Sequence, residues 1–78
     1  MQLKEFVEYL AKSLVDDIDG VDVQEIQGEQ SSMIQLRVSK GDLGKIIGKR
    51  GKNAGSLRTI VNAVAAKHQR RVLLEIIE

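Results

Sequence analysis

The chain has 78 residues, of which 42% are hydrophobic and 29% charged; this fits one soluble globular domain over residues 1–78 and is too short for two. It contains no cysteine and one histidine, His68, which excludes disulfides, thiolate metal sites and histidine-rich metal sites, so no metal or cofactor is expected. Residues 1–30 carry two positive and eight negative side chains, whereas residues 31–78 carry ten positive and three negative, a polarity that suggests an anionic ligand.

The first predicted element is an amphipathic helix over residues 2–18. Its apolar side chains recur with alternating spacings of three and one, which places them on one helical face. They are Leu3, Phe6, Val7, Leu10, Ala11, Leu14, Val15 and Ile18. Gly20 stands where a left-handed residue would end the helix. We expect the apolar face to pack in the core.

Two strands joined by a turn are expected next. Three apolar residues indicate the first strand, and their imperfect alternation suggests a bulge: Val21, Val23 and Ile26. Residues 28–32 predict a turn. A strict alternation with polar residues indicates a half-buried second strand: Ile34, Leu36 and Val38. We expect the two strands to form a hairpin.

The glycine-rich segment that follows contains five of the seven glycines, between residues 41 and 55. Before Gly48, three apolar residues predict one or two helical turns that Ser39 or Asp42 could cap: Leu43, Ile46 and Ile47. A second helix is expected from about Asn53 to His68, with an apolar stripe at Ala54, Leu57, Val61, Val64 and Ala65. Residues 71–77 are rich in Val, Leu and Ile and predict a final strand.

The predicted order is helix, strand, strand, helix, glycine turn, helix and strand. Amphipathic helices need an apolar surface to cover, which favours an α+β fold of two layers. Because the last strand follows a helical crossover, it could lie parallel to the strand before it. The fold class is therefore a three-stranded mixed sheet covered on one face by three helices.

The turn between the last two predicted helices has the composition of a phosphate-binding segment. A helix start carries unpaired N–H groups and a positive partial charge, and glycine lets a backbone approach a phosphate closely. Lys49 and Arg50, between Gly48 and Gly51, are expected to project outward. Beside this cationic cradle, Ile46, Ile47 and Ala54 would offer an apolar floor for bases. Composition alone fits a solvated charged face equally well.

Other phosphate-binding and catalytic motifs do not fit the chain. A Walker A loop places its glycines five positions apart with Ser or Thr after the lysine, whereas Gly44 precedes Gly48 by four and Arg50 follows Lys49. The dinucleotide-binding G-x-G pattern does not occur. Without a cysteine or a histidine–acid pair, an enzyme is not expected.

At these residues the chain resembles a known family. Ile47-Gly48-Lys49-Arg50-Gly51 resembles the I-G-x-x-G signature of the KH (K homology) domain, whose loop clamps four backbone nucleotides. Because a helix and a strand precede the β-α-α-β core, the order resembles the type II arrangement, α-β-β-α-α-β. The runs 42–51 and 57–61 make the whole chain similar to the KhpA family of small bacterial RNA-binding proteins. Ala54 departs from the KH pattern, which often has a larger aliphatic residue there.

The resemblance implies a non-catalytic protein that binds single-stranded RNA and self-associates, forming a homodimer. It also implies pairing with a second KH protein of the KhpB (Jag) type, and a role in post-transcriptional regulation or RNA chaperoning linked to cell elongation and division. The sequence does not exclude single-stranded DNA as a ligand. The charged N-terminus and the short apolar stretches predict a cytoplasmic protein that does not enter a membrane.

The candidate RNA-binding residues are the glycine turn and its neighbours: Lys45, Ile46, Ile47, Gly48, Lys49, Arg50, Gly51, Lys52, Ala54 and Arg58. The main-chain amides of residues 48–51 would hold phosphates, and Ile34 or Leu36 could add to the groove. Solvated helix faces are an equally good interpretation of Lys45, Lys52 and Arg58.

A rival hypothesis is a protein-interaction module that dimerises through the apolar side of the last helix: Leu57, Ile60, Val61 and Val64. The only aromatic residues are Phe6 and Tyr9, so stacking platforms for bases are missing and weak, low-specificity binding is predicted.

Overall fold

The structure is a computed structural model that describes residues 2–77. Three helices and three strands follow one another along the chain: α1 (Leu3–Leu14), β1 (Asp22–Gln27), β2 (Ser31–Arg37), α2 (Leu43–Ile47), α3 (Lys52–Lys67) and β3 (Arg71–Ile77). Short 3₁₀ turns lie at Ile18–Gly20, Lys40–Asp42 and Lys49–Gly51. The element order and the α+β fold class are as predicted, and the last strand has the predicted bounds.

The sheet has the order β1-β2-β3, with β1 antiparallel and β3 parallel to β2, which confirms the predicted hairpin and mixed sheet. Pairing between β1 and β2 is unbroken from Asp22↔Arg37 to Gln27↔Ser32. The predicted bulge in β1 is therefore wrong. The apolar residues of β1 alternate imperfectly because Ile26 faces away from the helices and is 56% exposed.

One core lies between the helices and the inner face of the sheet. It joins Val7 and Ala11 of α1 to residues of both later helices and all three strands. Leu57 and Val61 of α3 belong to this core and are almost completely buried. Their side chains cover the sheet within this chain, and the dimer contacts predicted for them stay a prediction. Ile60 is exposed and Val64 half-buried.

Helix α1 ends at Leu14, four residues before its predicted end. Val15 takes an extended conformation, with φ −94° and ψ 160°, and turns its side chain into the core. The next two N–H groups, of Asp16 and Asp17, donate to the carboxylate of Asp42. A contact across 25 residues thus ends the helix, and Gly20 lies in a 3₁₀ turn rather than at a left-handed helix end.

A 3₁₀ turn and the short helix α2 connect the sheet to the glycine turn. After β2, the 3₁₀ turn Lys40–Asp42 leads directly into α2. Helix α2 has only five residues and buries Ile46, so the segment after it is held close to the core but lies outside it. Within residues 2–77, every helix is too short or too polar to traverse a bilayer.

Candidate nucleic-acid interface

The loop between α2 and α3 is shaped by three residues with positive φ angles. Gly48 has φ 74°, Arg50 58° and Gly51 76°. Gly48, with ψ 174°, adopts a conformation that is essentially restricted to glycine. A Cβ atom at Gly48 would also lie 2.6 Å from Cγ of Asn53. Glycine is therefore required there for both its conformation and its close packing.

The main-chain N–H groups of the loop divide into two sets. Gly48 donates to the oxygen of Gly44 at 2.8 Å and Gly51 to that of Gly48 at 3.1 Å, so these two amides, which were predicted to hold phosphates, already have main-chain acceptors. The N–H groups of Lys49 and Arg50 donate to no acceptor within the described part of the chain. Two neighbouring amides are thus available to an external oxygen.

Three cationic side chains surround these free amides. Lys49, Arg50 and Lys52 are exposed and together line a surface concavity of about 320 Å³. Among residues 2–77, the salt bridges all involve Lys45, so none of these three cations is neutralised by a carboxylate there. The loop therefore offers N–H donors and unpaired positive charge to the same ligand.

Lys45 occupies a different environment from the other predicted cations. Its ammonium lies 2.8 Å from Oδ2 of Asp16 and 3.4 Å from Oδ1 of Asp42. The hydrogen bond to Asp16 is the main reason that the pKa of Lys45 is raised above 10.5. Lys45 therefore remains charged, but it is held in an ion-pair network on the side of α2.

Asp42 is the buried member of this network and was not recognised in the sequence as a site residue. Its carboxylate accepts the N–H of Asp17 at 3.0 Å and that of Asp16 at 3.3 Å. The Asp17 hydrogen bond is the largest cause of the lowering of the Asp42 pKa below 3.8. The side chain forms no cap on α2, contrary to prediction. No local pattern signals a partner so distant in sequence.

The apolar floor predicted beside the loop is largely inaccessible. Ile46 is fully buried and Ala54 nearly so, and Ile34 and Leu36 are enclosed in the core. Of the predicted groove residues, Ile47 is half-buried and reaches the surface. The others attach α2 and α3 to the sheet, and base contact by their side chains stays a prediction.

Arg58 lies on α3 beside the last strand. Its side chain is exposed, and its Nε donates to the carbonyl oxygen of Leu74 at 3.4 Å. The guanidinium is therefore directed along β3 rather than toward the free loop amides. Over residues 2–77, no group of three His, Asp or Glu side chains converges to hold a metal ion.

Comparisons with known proteins agree with this fold. The sequence profile of the KhpA/KhpB KH domain matches residues 4–76. The chain is 53% identical over 76 residues to the RNA-binding protein KhpA of Aquifex aeolicus, covering 97% of this chain and 96% of that protein. It is 51% identical over 74 residues to the RNA-binding protein KhpA of Borreliella burgdorferi, covering 95% and 90%.

A solved structure shows the same fold within a longer protein. Era of Aquifex aeolicus, crystallised with GDP·AlF4−, superposes with a TM-score of 0.65 at 19% sequence identity. The match covers 95% of this chain and 29% of the Era chain, so it concerns the fold of one part of Era. The full-length profile match and the identities near 50% establish that the chain belongs to the KhpA/KhpB family of KH domains.

Proposed function

We propose that this protein binds single-stranded RNA without catalysing a reaction on it. The observation that carries the proposal is the pair of free N–H groups at Lys49 and Arg50, surrounded by three exposed cations. Such a surface suits a phosphate diester, which accepts hydrogen bonds and carries a negative charge. The relatives named RNA-binding protein KhpA support RNA as the ligand.

Each predicted site residue has a role in this proposal. Lys49, Arg50 and Lys52 contact phosphates, and Gly48 and Gly51 give the loop its shape. Ile47 contacts a base, and Arg58 extends the cationic surface along β3. The remaining residues support the loop from below or from the side: Lys45, Ile46 and Ala54. Contact with about four phosphates gives a slope of about −3 for log K against log salt concentration.

A fluorescence anisotropy titration with a labelled single-stranded RNA tests the proposal. Replacing Lys49 and Arg50 by Gln should weaken binding at least about tenfold and reduce the magnitude of the salt slope by about 1.4. The matched control replaces Lys4 and Lys67 by Gln, which changes the net charge equally away from the loop. Equal affinities of the two double variants would contradict the proposed site. Parallel titrations with single-stranded DNA measure the preference for RNA.

The cellular part of the proposal rests on the family resemblance. We infer a cytoplasmic post-transcriptional regulator or RNA chaperone linked to cell elongation and division, which acts as a homodimer or with a second KH protein of the KhpB (Jag) type. The joint KhpA/KhpB profile supports this pairing. RNA crosslinking in cells tests the RNA-binding part of this proposal, because the Lys49/Arg50 variant should recover less RNA than the wild type.

A protein-interaction module is the second candidate function. Ile60 favours it, because this large apolar side chain is 40% exposed on α3, and Val64 lies one turn further along the same helix. Light scattering tests this candidate. If Ile60 contributes to a dimer interface, Ile60→Lys should give the mass of a monomer, and an unchanged dimer mass would remove Ile60 from the interface.

A further inference from the structure

The carbonyl oxygen of Lys45 has an unusual partner. In an α-helix continued past Ile47, this oxygen would accept the N–H of Lys49, four residues later. Gly48 interrupts the helix, and the side-chain Nδ2 of Asn53 donates to the oxygen of Lys45 instead, at 2.8 Å. Asn53 therefore occupies the hydrogen-bonding position that the Lys49 amide would otherwise take.

Asn53 also packs against the glycine that starts the loop. A Cβ atom at Gly48 would lie 2.8 Å from Cβ and 2.9 Å from the main-chain nitrogen of Asn53. The side chain of Asn53 is half-buried, and Asn53 is the second residue of α3. One side chain thus joins the end of α2 to the start of α3 and closes the loop between them.

We propose that Asn53 is a positioning residue that keeps the Lys49 N–H available to an RNA phosphate, an inference that rests on the proposed function. Without the Asn53 amide, the Lys45 oxygen and the Lys49 N–H would both lack partners. They are four residues apart, so α2 can extend by pairing them. That rearrangement removes a phosphate-binding donor from the surface without removing any cationic side chain from the protein.

Asn53→Ala tests the proposal through two measurements. The affinity for labelled single-stranded RNA should fall about fivefold, as expected when the hydrogen bond from the Lys49 N–H to a phosphate is lost. In hydrogen exchange followed by NMR, the Lys49 amide should exchange about tenfold more slowly, because it gains a helical partner. The control is Asn62→Ala, which removes an exposed side chain from the same helix and should change neither value.

A second variant covers the case in which Asn53→Ala does not fold. Asn53→Asp keeps the shape of the side chain and places a carboxylate in the first turn of α3, where the helix dipole favours it. The ionised carboxylate cannot donate to Lys45, so the Lys49 amide should again become protected. Because its charge would itself repel RNA, only the exchange measurement is used for this variant.

The outcomes separate this inference from the proposed function. Unchanged exchange at Lys49 in either folded variant, or unchanged RNA affinity in folded Asn53→Ala, would overturn the positioning role. If the wild-type protein bound no RNA, the proposed function would fail, and the exchange of Lys49 would still decide whether Asn53 controls this amide.

Discussion

At the scale of single residues, Asp42 connects the first part of the chain to the loop. It precedes α2, and its carboxylate accepts N–H groups from the segment that follows α1. Since α2 has only five residues, few other contacts determine where its end lies. We therefore expect substitutions of Asp42 to affect both stability and the placement of the proposed RNA-binding loop.

Asp42 predicts an acid dependence of the free energy of unfolding. Because its pKa in the folded protein is below the ordinary 3.8, the stabilisation it provides is complete above pH 3.8 and is lost as pH falls through the lower, folded-state pKa. Urea unfolding from pH 7 to pH 2.5 should show this loss in the wild type. In Asp42→Asn the stability should be lower at pH 7 and should fall less steeply below pH 3.8.

The control is Asp19→Asn, which changes an exposed carboxylate and should keep the wild-type pH profile of stability. A wild-type profile in Asp42→Asn would contradict the role of Asp42.

Gly48 provides the second prediction at this scale. Gly48→Ala forces a side chain into a glycine conformation and against Asn53, so it should lower the free energy of unfolding by about 1–3 kcal/mol. Gly44→Ala is the matched control, because nothing lies within 4 Å of the added Cβ. Gly44 lies inside α2, where alanine should raise the free energy of unfolding by about 0.5–1 kcal/mol. Equal effects of the two changes in urea titrations would show that the loop tolerates another conformation at Gly48.

At the scale of elements, the sequence predicts structure well where one periodicity governs a segment. The bounds of helix α3 are predicted within a residue because its apolar residues follow one period, and those of strand β3 to the residue because a short run rich in Val, Leu and Ile fills it. The end of α1 was missed because Asp42 decides it from 25 residues away. The burial of the predicted apolar floor could not be foreseen either, since a stripe on a short helix does not reveal whether it covers the sheet or faces a ligand.

Helix α3 provides a test of this distinction between core and interface. Leu57→Ala should lower the free energy of unfolding by about 2–4 kcal/mol, because it leaves a cavity in the core. Ile60→Ala, on the exposed side of the same helix, should lower it by less than about 1 kcal/mol. Denaturant unfolding at one dilute protein concentration measures both. A larger loss for Ile60 than for Leu57 would reverse the assignment of their roles.

At the scale of the whole molecule, the acidic and basic parts of the chain meet beside the proposed RNA-binding loop. The acidic part, residues 1–30, includes α1 and the segment with Asp16, and the basic part includes the loop. On this side of α2 the two parts are joined by the ion pair of Asp16 with Lys45, in which the Asp16 side chain is largely exposed. An exposed carboxylate at this position lowers the positive potential that an approaching phosphate experiences.

Removing that carboxylate should therefore strengthen RNA binding. We expect Asp16→Asn to raise the affinity about two- to threefold at low salt, with the difference shrinking at high salt as exposed charges are screened. Glu29→Gln removes one negative charge at the β1–β2 turn, which the seven residues of β2 separate from α2, and it should leave the affinity almost unchanged. Anisotropy titrations across a salt series measure both variants. Equal gains in both would mean that net charge alone steers RNA to the protein, whereas a gain confined to Asp16→Asn places the phosphates beside Lys45 and the loop.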